Sequence, residues 1–147
     1  MVKISGGDKL EAALTEIAKK VTQASSVDIG FLDGATYPDG TSVPMVAAVQ
    51  EFGAPARNIP PRPFFRDMIA AKSPEWPEAV GDLLIFNEYD ASKTLGQTGA
   101  AIKGQLQQSI ADFNGVPLSE ATSAKKGSSK QLIDTGVMIN SVDFEVK

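Results

Sequence analysis

The chain has no cysteine and no histidine among its 147 residues. Those two absences remove thiolate nucleophiles, imidazole bases, the Ser-His-Asp triad, disulfide frameworks and the usual zinc ligand sets. Catalysis would be left with carboxylate, lysine, tyrosine or hydroxyl chemistry, with an oxygen-ligated metal at most. No apolar run approaches the ~18 residues of a membrane span, and residues 1–8 lack the apolar centre of a signal peptide. A soluble chain made in the cytosol, with no membrane partner, is the expectation. Positive charge is also scarce: the net charge is −4 and the pI about 4.8. Coating DNA requires a dense Lys/Arg face, so that role is disfavoured, whereas an acidic surface could line a passage that DNA crosses without sticking.

Hydrophobic residues make up 42% of the chain, enough for one domain covering residues 1–147. Asp8 and Glu11 have capping-box spacing, and Leu10, Ala13, Leu14, Ile17, Ala18 and Val21 follow at helical intervals. The spacing predicts an amphipathic helix over residues 9–23. Val27, Ile29 and Phe31 then alternate with Asp28 and Gly30 as a half-buried strand does, and Asp33-Gly34 is turn chemistry. After a second turn at residues 37–42, Ser42 can cap a helix with Pro44 in its first turn, Met45, Val46, Val49 and Phe52 on its apolar face, and Gly53 at its end.

Between residues 53 and 63 the chain carries Pro55, Pro60, Pro61 and Pro63, which lack donors and push their predecessors toward extended geometry. A stiff arm is predicted there. Pro63 can open a short helix bearing Phe64, Phe65, Met68 and Ile69, and Ser73-Pro74-Glu75 restarts helical structure through Val80, Leu83 and Leu84. The longest helix is predicted over residues 92–113, with Leu95, Ile102, Leu106, Ile110 and Phe113 in one stripe and Gly99 allowing close packing. Its glycines weaken it, so tertiary or intersubunit contacts must hold it. Residues 114–130 are polar, with Lys125, Lys126 and Lys130, and read as a flexible loop. Val142, Phe144 and Val146 alternate as a closing strand. The expected fold is α+β: a small antiparallel sheet pairing this strand with residues 27–32, packed with several helices, one of them long and central.

Leu132-Ile-Asp-Thr-Gly136 invites an aspartic-protease reading, in which two carboxylates share a proton across a dimer. Its late position leaves no room for the flap and cleft strands, so a helix cap by Asp134 is preferred. Asp33-Gly34 and Asp39-Gly40 lack calcium-loop spacing and read as turns; no metal or cofactor is called for. Phe64 and Phe65 are adjacent and cannot easily enter one small core together, so one is assigned to packing and the other to a partner.

Two stretches carry a resemblance: Val46-Ala-Ala-Val-Gln-Glu-Phe-Gly53 through Ile59-Pro-Pro-Arg-Pro-Phe-Phe65, and Gln131-Leu-Ile-Asp-Thr-Gly-Val-Met-Ile-Asn-Ser141. Between them come Leu95-Gly-Gln-Thr-Gly-Ala-Ala-Ile102, Val116-Pro-Leu-Ser119 and Lys126-Gly127. In this order they resemble the head-to-tail joining (neck or tail-completion) proteins of tailed bacteriophages, over roughly residues 27–146. The chain departs from that pattern at Val137, where a basic residue is common, and at Pro117, where prolines are usually paired.

The resemblance implies a structural virion protein of the neck rather than an enzyme. It would form a homo-oligomeric ring, assembled in the host bacterial cytoplasm, that links connector or stopper proteins to the tail terminator or tail tube, close to the passing DNA. Partner contacts are then expected at Ile59, Pro60, Pro61, Arg62, Phe64, Phe65, Lys125 and Lys126. A tail terminator or other minor tail component is the alternative; a dimeric aspartic-type hydrolase and a non-virion cytosolic adaptor rank behind it.

Overall fold

The computed structural model describes residues 3, 5–113 and 136–147. Helix α1 (Gly7–Val21) precedes strand β1 (Val27–Phe31), and α2 (Val43–Phe52), α3 (Phe64–Lys72), α4 (Trp76–Phe86) and α5 (Ala91–Asp112) follow. Short 3-10 turns at Pro55–Arg57 and Ser73–Glu75 separate three of the helices, and a single-turn helix α6 (Val137–Asn140) leads into β2 (Val142–Val146). The class is α+β, with five longer helices around a two-stranded antiparallel sheet. The flexible-loop assignment and the Asp134 cap, with Lys125 and Lys126, lie outside the described residues.

The two strands pair in the register Val27↔Val146, Ile29↔Phe144 and Phe31↔Val142, as their alternation predicts. Val142 is buried on the face that meets the helices. Lys147 ties the open end of the ladder, its ammonium 2.5 Å from Asp28 and 3.7 Å from Glu145.

Helix α5 is the spine, touching the sheet, α1, α3, α4 and α6. A Cβ on Gly99 would sit 2.5 Å from the Phe144 ring and 2.9 Å from Val27, so only glycine lets the helix lie this close to the sheet. One helical turn later, Ile102, Leu106 and Ile110 enter a core completed by Val43, Ala47, Phe64, Met68, Met138 and Val142. Burial of each such large side chain contributes about 1.5–3 kcal/mol. At the other end of α5, Asp90 caps the helix by accepting from the Lys93 N–H at 2.8 Å, and the buried Asn87 amide donates to Thr94 and Gln97.

Two local expectations are corrected. Helix α1 starts at a Gly6 cap in the left-handed region rather than at a capping box, and Asp8 lies inside the first turn without capping it. A glycine there supplies the turn without a side-chain acceptor. In α2 the Ser42 hydroxyl accepts from the Met45 N–H at 3.4 Å and Gly53 closes the helix, as read from the sequence, but the buried face is Val43, Ala47 and Glu51. Met45 and Phe52 stand out in solvent.

Candidate functional site: the clasp and groove between α2 and α3

The stretch expected to form an arm is folded back on the helix before it. Ala54 and Ile59 exchange backbone hydrogen bonds at 2.8 and 3.1 Å, closing a tight turn around the 3-10 residues and a left-handed Asn58. Residues 59–61 then pass over Gly53, whose φ is 74°. A Cβ there would meet the Ile59 carbonyl at 2.7 Å and the Pro61 nitrogen at 2.8 Å, so both the backbone angle and the close crossing demand glycine. Arg62 is stitched to α2 twice. Its N–H donates to the Gln50 carbonyl at 2.7 Å and its Nη1 to the Gln50 side chain at 2.6 Å. Burial pulls its guanidinium below the ordinary arginine pKa.

Glu51 is the centre of this construction. Its carboxylate, from the last turn of α2, accepts the Phe65 N–H at 2.9 Å and the Arg66 N–H at 3.2 Å, which are orphan donors of the first turn of α3. Pro63 lies at the cap position and offers no side-chain acceptor, so a carboxylate from another helix takes that role and also favours the positive end of the α3 dipole. Arg66 closes the clasp: its Nε lies 2.7 Å from the same carboxylate and its Nη2 donates to the Glu51 carbonyl at 3.1 Å. The guanidinium also sits 5.2 Å from the centre of the Phe52 ring.

Beside the clasp opens a cavity of about 270 Å³, walled by Phe31, Pro44, Ala48, Phe52 and Phe65 with Arg66 at its edge. Phe52 is 65% exposed. Of the expected partner residues, Phe65 reaches this surface, Pro61 is exposed, and Ile59, Pro60 and Arg62 are half-buried. Phe64 is corrected: it is 1% exposed, edge-on to Phe31, and belongs to the core. The extended arm is corrected too, because Arg62 and the Ala54–Ile59 pairing hold it against α2. Sequence reasoning missed Glu51, Arg66 and Phe52, whose roles arise from contacts between different helices.

Both oxygens of the buried Glu51 carboxylate are taken by backbone and guanidinium donors. Among the described residues no group of three or more Asp and Glu side chains is placed to hold a metal ion. No protein-family model, curated protein or solved structure matches this chain.

Proposed function

We propose that this chain is a structural subunit of the tailed-phage neck, joining capsid connector to tail as part of an oligomeric ring. The motif order around residues 46–65 and 131–141 suggests the family. The structural observation that supports the reading is the placement of large exposed apolar side chains on three different helices: Leu10 and Leu14 on α1, Met45 and Phe52 on α2, and Ile85 and Phe86 on α4. A ring subunit must meet neighbours on two sides and other proteins along the axis, and apolar patches divided in this way suit that demand. The clasp presents one of those patches on a rigid frame, which limits the entropy lost on docking.

The deciding experiment is electron microscopy of phage particles labelled with gold against this chain. Label at the junction of DNA-filled heads and tails is expected. Label confined to the tail shaft would replace the neck with a minor tail component, and unlabelled particles would remove the virion reading altogether.

A further inference from the structure

A fifteen-residue helix is marginal in water unless tertiary packing supports its apolar face, yet α1 has no buried residue. Leu10, Leu14, Ile17 and Val21 share one face of it. Only Ile17 among them is even half-buried, and Leu10 and Leu14 are 62% and 56% exposed. Within its own chain α1 leans on α5 and, through Lys20, reaches Glu88 at 4.0 Å. It contributes nothing to the wall of the groove between α2 and α3.

We propose that this groove receives helix α1 of a second copy of the chain, in a head-to-tail contact. The cavity, at about 270 Å³, lies just below the ~300–1,000 Å³ typical of small-molecule sites and suits apolar side-chain anchors such as Leu10 and Leu14. Charge sets the direction of seating. On α1 the apolar stripe is edged by Glu11 on one side and by Lys9 and Lys20 on the other. At the groove, Glu51 is buried and Arg66 is the exposed charge, its side chain 56% accessible. Turning Glu11 toward Arg66 pairs opposite charges and leaves Lys20, on the other edge, beside Glu88 of its own chain.

A membrane surface is a poorer occupant for this helix. Its polar residues Asp8, Glu11 and Glu16 balance Lys9, Lys19 and Lys20, whereas helices that lie on anionic lipid are enriched in cations. Because helix and groove are different surfaces, each copy offers one and fills another, which is the heterologous contact that closes rings. The inference rests on the reading of the chain as a self-assembling subunit and names the contact that assembles it.

The test uses two full-length variants altered at exposed positions, Leu14→Asp in the helix and Phe52→Asp at the groove, each checked for folding by circular dichroism. In analytical ultracentrifugation the wild type should assemble, and each variant alone should self-associate at least about tenfold more weakly. An equimolar mixture should recover a dimer and stop there, since only one intact helix and one intact groove remain between the two chains. Variants that assemble like the wild type, or a mixture that fails to pair, overturn the seat while leaving a ring intact. A wild type that stays monomeric overturns the seat and self-assembly together, and gold labelling judges the neck assignment separately. Protection of α1 that appears only with anionic phospholipid vesicles overturns the seat in favour of a membrane surface.

Discussion

Helices α1 and α5 carry the same kind of pattern and meet opposite fates. Both repeat apolar residues at helical spacing, yet α5 buries Ile102, Leu106 and Ile110 whereas α1 buries nothing. The apolar stripe of α1 is more sharply segregated, and that of α5 is diluted by threonine and glycine. Glycine is what brings α5 home, because Gly99 lets the backbone settle onto Phe144 and Val27. Periodicity therefore reports that a face wants covering; the small residues report where the covering surface lies within the chain.

The sharpest way to break this comparison is a matched pair of truncations. Leu106→Ala removes a side chain with no exposure and should cost about 2–5 kcal/mol, read as a lower urea midpoint. Leu10→Ala, on monomer, should move the midpoint by no more than about 0.5 kcal/mol. If the two cost the same, α1 is packed in solution and the contrast is wrong.

A middle-sized effect is expected at Glu51. Glu51→Ala leaves the Phe65 and Arg66 N–H groups without their acceptor and should cost about 1–3 kcal/mol. Glu51→Gln keeps an acceptor oxygen and loses the charge, so it should fall between the wild type and alanine. Amide exchange at the start of α3 would check the mechanism: protection there should drop before that of α5.

The smallest effects belong to the exposed ion pairs that fasten the strand ends. The Phe144 N–H, then Lys103, hold the Asp143 carboxyl below the usual 3.8, so its contribution is complete above that value and fades as pH falls through the lower folded one. The Asp28 hydrogen bond raises Lys147 above its usual 10.5, so that contribution is complete below 10.5 and fades as pH rises past the folded value. Cross-strand nuclear Overhauser contacts between β1 and β2 should weaken at both extremes and stay flat between them. A change near neutrality would point to a different group.

Much of the fold was legible because its signals are local. The alternation of Val27 to Phe31 and of Val142 to Val146 fixes which faces pair, and Ser42, Pro44 and Gly53 mark the ends of α2 within a few residues of where they act. The clasp was not legible. Glu51 caps a helix that starts thirteen residues later, and no spacing rule links an acceptor on one helix to donors on another. The same contact explains the misjudged face of α2: a carboxylate is buried where an apolar residue was expected, and Phe52 is turned outward beneath Arg66. Prolines predict a stiff segment, but stiffness does not say which way it points, and the Arg62–Gln50 hydrogen bond sets that.

The pairing of β1 with β2 has a consequence for how the protein is made. Residues 27–31 find their partner only at 142–146, and Gly99 finds its neighbour Phe144 at the same moment. Synthesis from the N-terminus thus delivers the helices first and withholds the strand they pack on, so the sheet must close after translation of residue 146 rather than during it. Until then α5 can pack on β1, α3 and α4, but the part of its apolar side that meets Met138, Val142 and Phe144 stays uncovered. A nascent chain stalled before residue 142 would leave Gly99 and the helix turn around it facing solvent in place of Phe144.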